Sequence, residues 1–183
     1  MIGIPLALVL SNATEWVAHK YVLHGLGGKR RSFWSFHWHE HHKNARSHGF
    51  LDPDYERSAL GWNAQGKELL ALAGVLSLVT PLLPVAPFFV LTSYYTGYRY
   101  YVTHKRAHQD PEWARKHVPW HYDHHMGPNQ HANWCVTRPW FDDIMGTRIP
   151  YAGTEREQRD LEKIERRRQR AEAREGRPAS QAA

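Results

Sequence analysis

The sequence predicts an all-helical integral membrane protein in which short transmembrane helices carry a histidine-rich helical cap on the cytoplasmic side. Three observations lead to this fold class: a long uncharged stretch in the middle of the chain, a second apolar stretch at its start, and a one-sided distribution of cations. The average composition hides this pattern, because 42% of the 183 residues are hydrophobic and 23% are charged.

The middle stretch, Leu69 to Tyr98, runs for 30 residues without Asp, Glu, Lys, Arg or His. Three prolines, Pro81, Pro84 and Pro87, interrupt it, and proline breaks a helix. A helix of about 15 residues reaches roughly 22 Å, which is less than the hydrocarbon core of a bilayer. We therefore expect two short helices in a shallow hairpin. A buried helical hairpin in a soluble protein is the alternative interpretation.

The other apolar stretch, Met1 to Val17, contains Glu15 as its only charged residue. No Lys or Arg precedes Lys20 and none lies between residues 68 and 98, whereas sixteen lie from Arg99 onward. Basic residues favour the cytoplasmic side of a membrane. This bias predicts an integral membrane location with the site and the C-terminus in the cytoplasm.

Composition divides the chain into residues 1–150, the predicted membrane domain, and residues 151–183, a charged tail. Acids and bases alternate from Thr154 to Glu175, which predicts a solvated helix followed by a frayed end. The single cysteine, Cys135, excludes a disulfide framework, a zinc ribbon and an iron–sulfur cluster, since each needs several thiolates. Any bound metal must therefore be held mainly by nitrogen.

Histidine is the unusual residue, with fourteen in the chain. All except His48 fall into clusters at or beyond the ends of the apolar stretches. Histidines four residues apart lie on one face of an α-helix, so His37 with His41, and His104 with His108, are expected to point into one site. Neutral imidazole is a good ligand for iron, zinc, copper or nickel, and ten clustered histidines suit two ions better than one. The ten candidate ligands are His19, His24, His37, His41, His42, His104, His108, His121, His124 and His125.

The order of these clusters resembles the membrane-bound fatty acid hydroxylase, sterol desaturase and carotene hydroxylase superfamily. HKYVLHG, HWHEHHK, HKRAH and HYDHH are similar to its four histidine boxes, and NWCVTRPWFDDIMGT is similar to the segment that closes its domain. The resemblance covers about Glu15 to Thr147. Departures from the family pattern are Cys135 in place of a usual glycine, the additional His39, and His117 as a second possible start of the fourth box.

The resemblance implies a non-haem di-iron monooxygenase that uses O2 and two electrons to hydroxylate or desaturate a C–H bond of a membrane lipid. An acyl or sterol-like chain is the expected substrate, and carotenoid ring hydroxylation is the alternative. Two iron ions are the expected cofactors, with zinc as a possible substitute. Further residues near the boxes are candidates for alternative ligands or for orienting the ligands: His39, His117, His131, Glu15, Asp123, Asn133 and Asp142.

Electrons need a separate carrier, because the chain has no dinucleotide fingerprint, flavin motif or cluster cysteines. A ferredoxin or cytochrome with its reductase is the expected partner, and the net charge of +6 suits an acidic carrier. Two other classes remain open. One is a non-enzymatic membrane protein that binds metal, and the other is a protein whose basic tail binds nucleic acid, although we expect no nucleic-acid partner.

Overall fold

The computed structural model describes residues 2–175, and every regular element within them is a helix, as the sequence predicts. The helices are α1 (Gly3–Val17), α2 (His42–Ser47), α3 (Ala64–Val79), α4 (Pro87–Gln109), α5 (Pro111–His117), α6 (Pro119–Met126), α7 (Trp140–Ile144) and α8 (Glu155–Glu175). Two π-helical segments, Ala18–Leu26 and His37–His41, continue α1 and precede α2. Short 3-10 turns lie at Pro53–Glu56 and Thr80–Leu82.

The hairpin of α3 and α4 is explained by local signals. The Asn63 side chain accepts a hydrogen bond from the amide of Gly66 at 2.9 Å and so caps the start of α3. Helix α3 ends at Val79, before the prolines, and α4 begins at Pro87. Proline is tolerated at the first position of a helix, because the backbone N–H that it lacks would have no partner within the helix there. The predicted break of the uncharged stretch at its prolines is confirmed.

The first helix, α1, packs along α4, and α3 packs against the same helix. Gly3 permits the close approach of α1, because a Cβ atom there would lie 2.8 Å from the backbone nitrogen of Phe89. Gly27 is required for a local reason at the end of the first π-helical segment, where a Cβ atom would lie 1.8 Å from the carbonyl oxygen of Leu23. Because Gly3 and Phe89 both lie at helix starts, α1 and α4 run side by side in the same direction, so that the histidines after α1 and those near the end of α4 lie at the same end of the pair.

The prediction of transmembrane helices is wrong. Among residues 2–175, no helix is both long enough and apolar enough to cross a bilayer. Helix α1 has 15 residues and α3 has 16, which correspond to roughly 22–24 Å at about 1.5 Å per residue. Helix α4 has 23 residues, but its second half carries Arg99, Lys105 and Arg106. The expectation of an integral membrane protein, with its site and C-terminus on the cytoplasmic side, is corrected accordingly.

The chain divides into two compact units after Pro150. The second unit contains α8, on which the pairs Arg156–Asp160 and Arg166–Glu162 lie four residues apart, at 2.9 and 2.8 Å. Such pairs stabilise an exposed helix. The predicted helix over Thr154 to Glu175 is therefore confirmed, and the predicted frayed end lies outside the described residues.

Candidate metal centre

All ten predicted ligands are buried, and the structure brings them together in the first unit. Two sets of histidines could each hold a metal ion, since within each set one ring nitrogen per residue lies within 4.8 Å of all the others. Group A consists of His19, His24, His37, His42 and His124. Group B consists of His41, His104, His108 and His125, and the tenth histidine, His121, lies beside it with its Nε2 3.0 Å from Nε2 of His108.

Helix type decides which histidines share a group. A π-helix has i to i+5 hydrogen bonds, so residues five apart come onto one face. His19 and His24 lie five apart in the first π-helical segment, and His37 and His42 lie five apart across the second; both pairs belong to group A. His104 and His108, four apart in the α-helical α4, both belong to group B, as their spacing predicts. His37 and His41 enter different groups, although their ring centroids lie only 5.2 Å apart within the same buried centre.

The two groups adjoin one another. The rings of His42 and His125 stack with their centroids 4.2 Å apart, and the rings of His124 and His125 are 5.1 Å apart. Each of these pairs joins a group A residue to a group B residue. Two ions held by the groups would therefore be neighbours within one buried centre.

Distances within group A test whether the ring nitrogens suit a metal. Five pairs of Nε2 atoms are 2.9 to 3.2 Å apart. Metal–nitrogen bonds of roughly 2.1 Å place neighbouring ligands about 3.0 Å apart in an octahedron and about 3.4 Å apart in a tetrahedron. Group A therefore has the ligand spacing of a five- or six-coordinate ion rather than that of a tetrahedral zinc site.

Backbone carbonyls orient rings in both groups. The Nδ1–H of His19 donates to the carbonyl of Trp134 at 2.5 Å, and that of His124 donates to the carbonyl of Ala132 at 2.6 Å. In group B, the Nδ1–H of His108 donates to the carbonyl of Phe50 at 2.8 Å. A hydrogen bond at Nδ1 fixes the tautomer in which Nε2 carries the lone pair, which is the form that binds a metal.

Two buried carboxylates orient two further group B rings. The Nδ1–H of His41 donates to Asp52 at 2.7 Å, and the Nδ1–H of His104 donates to Glu68. Glu68 also accepts a hydrogen bond from the hydroxyl of Tyr55 at 2.6 Å. Burial opposes ionisation of both acids, but their bonds to the histidines hold the pKa of Asp52 and of Glu68 below the usual values. Among the described residues, the Nε2 atoms of His41 and His104 have no hydrogen-bond partner, which leaves their lone pairs available to an ion.

Burial also keeps most of these histidines neutral. Desolvation lowers the pKa of His19 to about 3, and it lowers the pKa of several others well below their usual value: His37, His42, His108, His121, His124 and His125. The neighbouring imidazoles add to this effect, since protonating one ring disfavours protonating the next. Neutral rings at ordinary pH are the form a metal needs.

The other four histidines are not part of the ligand groups, although the ring centroid of His131 lies 5.6 Å from that of His24. His48 and His117 are exposed, and their Nδ1 atoms are 2.9 Å from the carbonyls of Asn44 and Trp113 respectively. The ring of His39 contacts the carbonyl of Gly28 at 3.2 Å. His131 is exposed and stacks on Trp38. None of these four belongs to either group among the described residues.

The predicted orienting residues bond the backbone next to the ligands rather than the ligand rings themselves. Asp142 accepts hydrogen bonds from the amides of Trp134 and Cys135, each at 2.8 Å, and Asn133 accepts one from the amide of Ile149 at 2.7 Å. Asp123 pairs with Arg148 at 2.7 Å. These bonds hold the segment whose carbonyls accept from His19 and His124.

Glu15 supports the same segment. It accepts hydrogen bonds from the amides of Val136 and Thr137 at 3.0 and 2.9 Å, and from the Thr137 hydroxyl at 2.5 Å. Burial raises its pKa to about 7, although these bonds act in the opposite direction. Sequence reasoning missed Asp52 and Glu68, which do bond the ligand rings. In the sequence, Asp52 precedes a proline and is typical of a residue that caps a turn. Glu68 is the last charged residue before the uncharged stretch, and nothing in its position indicates a contact with a histidine.

A cavity of about 360 Å³ reaches the histidines from one side, and His19, His37, His41 and His104 form part of its wall. Most of the remaining wall is apolar and comes from α1, α3 and α4, with Leu10, Leu72, Val75, Leu76, Val79 and Phe89 among its residues. Apolar pockets of this size accommodate small organic molecules. The arrangement allows an apolar ligand to lie directly against both ligand groups.

Comparisons with protein-family models, with curated proteins and with solved structures found no match for this chain. The resemblance to the histidine-box superfamily therefore stays a prediction from the sequence.

Loss of Asp142 is expected to destabilise the segment that orients His19. Replacing this buried carboxylate by alanine leaves the amides of Trp134 and Cys135 without acceptors, and each unsatisfied buried donor costs about 1–3 kcal/mol. Asp142→Ala should therefore lower the free energy of unfolding by about 3 kcal/mol, measured by denaturant titration. The exposed neighbour provides the control, and Asp143→Ala should stay within about 0.5 kcal/mol of wild type. Equal stability of the two variants would contradict this account.

Removal of the second unit is expected to leave metal binding intact. Every histidine lies at or before His131, and the first unit extends to Pro150. A chain truncated after Pro150 should therefore bind as much metal as the full chain, measured by elemental analysis after gel filtration. Loss of both ions on truncation would show that the tail is needed to maintain the site.

Proposed function

We propose that this protein is a non-haem di-iron oxygenase that hydroxylates or desaturates a C–H bond of a lipid-like substrate. The observation that carries the proposal is the contact between two adjoining groups of buried histidines and one apolar cavity. A protein that only stores metal has no need for an apolar cavity at its ligands.

The ligand groups support a dinuclear centre. Group A has the nitrogen spacing of a five- or six-coordinate ion, a geometry that iron adopts readily. Group B leaves the Nε2 atoms of His41 and His104 without partners in a buried place, where an unsatisfied polar atom is costly. When bound, a pair of iron ions would supply the activation of O2 that lets a C–H bond be oxidised.

The chain's own residues contribute binding and exclusion of water. The apolar walls of α1, α3 and α4 would bind an acyl, sterol-like or carotenoid molecule by the hydrophobic effect. They would also place one part of that molecule against His19, His37, His41 and His104. Electrons would come from a separate protein, such as a ferredoxin or a cytochrome with its reductase, and the net charge of +6 favours an acidic carrier.

The test is product formation by the iron-loaded full chain. We expect that incubation with a cellular lipid extract, O2, ferredoxin and its reductase yields a lipid that has gained one oxygen atom or lost two hydrogen atoms, detected by mass spectrometry. Matched reactions without O2, and with zinc-loaded protein, should yield none. The product would also distinguish acyl, sterol-like and carotenoid substrates.

A non-enzymatic metal-binding protein is the second candidate, and one observation favours it. Group B has four histidines, which is the ligand number of a closed tetrahedral zinc site. This candidate predicts tight zinc binding and no oxygen-dependent product with any lipid fraction. Such a result would overturn the oxygenase proposal while leaving the metal centre in place.

A further inference from the structure

The partners of the ligand rings differ between the two groups. In group B, two rings are hydrogen-bonded to buried carboxylates, Asp52 at His41 and Glu68 at His104. In group A, His19 and His124 are hydrogen-bonded to neutral backbone carbonyls. His42 is hydrogen-bonded to the neutral side-chain amide of Gln130.

This difference matters because a bound ion brings two positive charges into a buried site. Charge buried without compensation is unfavourable, and carboxylates that accept the ring N–H raise the basicity of the ligand. Both carboxylates bond group B rings directly, whereas the buried acids on the group A side, Asp142 and Glu15, bond backbone amides of the segment that orients His19. An ion in group B is therefore better compensated than an ion in group A.

The metal-free states of the two groups differ as well. In group A, short contacts between Nε2 atoms, such as those of His24 with His42 and His124, allow one ring to donate to the next. Within residues 2–175, four group B ring nitrogens have no hydrogen-bond partner, namely Nε2 of His41, Nε2 of His104 and both nitrogens of His125, whereas in group A only Nδ1 of His24 has none. Unsatisfied buried nitrogens raise the free energy of the metal-free state of group B above that of group A. An ion that binds in group B therefore removes a larger unfavourable contribution.

We propose that the two groups are unequal metal sites, in which group B binds the first ion tightly through the buried carboxylates of Asp52 and Glu68, and group A binds the second ion more weakly. Asp52 and Glu68 are positioning residues, since they act through His41 and His104. The inference rests on the metal-binding part of the proposed function and is independent of the oxygenase reaction.

The test is a titration of the metal-free full chain with Co2+, whose visible absorption reports its coordination, combined with calorimetry. We expect two separate binding constants in the wild-type protein. Asp52→Asn and Glu68→Gln should each weaken the first constant by about tenfold to a hundredfold, and they should leave the second nearly unchanged. The matched control is Glu40→Gln, which removes an exposed carboxylate next to His41 in sequence that pairs with Lys67. This variant should change neither constant.

Alanine variants of the ligands give a second measurement that does not depend on the carboxylates. His104→Ala should remove the tight ion and leave one weak site, whereas His19→Ala should remove the weak ion and leave one tight site. Circular dichroism would identify any variant that fails to fold, and the comparison then rests on the remaining variants in each set.

The outcomes separate the two proposals. Two equal binding constants in the wild-type protein, or carboxylate variants that weaken the second constant instead of the first, would overturn the inequality and leave the dinuclear centre standing. No Co2+ bound by the wild-type protein would overturn the metal centre itself.

Discussion

Replacing His41 or His124 by alanine is expected to remove a metal ion from the protein, whereas replacing His48 is not. His41 belongs to group B and His124 to group A, and both side chains are buried. Loss of an orienting partner typically weakens metal binding tenfold to a hundredfold, and loss of a ligand should weaken it at least about a hundredfold. Each ligand variant should therefore retain about one ion per chain, measured by elemental analysis, with lipid oxidation lost in both.

His48→Ala is the internal control for this prediction. His48 is exposed, follows α2, and contacts the carbonyl of Asn44 rather than another imidazole. This variant should keep about two ions per chain and the wild-type activity. If all three variants retained two ions, the assignment of the ligand groups would be wrong.

Filling the cavity is expected to abolish turnover without removing metal. Ala71 lies on α3 and lines the cavity, so a phenylalanine there would project into the space that we assign to the substrate. Displacing a substrate by about 1 Å can cost a hundredfold in rate, and a blocked cavity should cost at least that much. Ala71→Phe should therefore reduce product formation by about a hundredfold or more while the metal content stays at the wild-type value.

The control for the cavity lies two residues further along the same helix. Ala73 is exposed and does not line the cavity, so Ala73→Phe introduces the same side chain on another face of α3. This variant should keep the wild-type rate and the wild-type metal content. Full activity of Ala71→Phe on the same lipid would show that the substrate binds elsewhere.

Local sequence signals determined several features directly. The prolines between Val79 and Pro87 end one helix and start the next because of their own ring geometry. The spacing of His104 and His108 was enough to place both rings in one group, since α4 is an ordinary α-helix there. The burial of the ten clustered histidines also agrees with the expectation that they act as ligands, whereas isolated His48 is exposed.

The extent of the apolar helices could not be judged from charge alone. Thirty residues without Asp, Glu, Lys, Arg or His suggested a membrane hairpin, but α3 uses only part of this stretch and the prolines and a turn use several more residues. Many of its apolar side chains instead line the cavity between α1, α3 and α4. An uncharged stretch identifies apolar surface, and only the packing shows what that surface contacts.

Only the tertiary structure decided how the histidines divide between two groups and which acids serve them. The π-helical turns at Ala18–Leu26 and His37–His41 bring residues five apart onto one face, and a pattern based on α-helical spacing does not reveal them. Asp52 and Glu68 lie 11 and 36 residues from the histidines they bond, so the first contact forms only when the loop after α2 folds back onto the second π-helical segment, and the second only when α3 packs on α4. Spacing along the chain determines which side chains share a helix face, whereas contacts between separate segments depend on the folded packing.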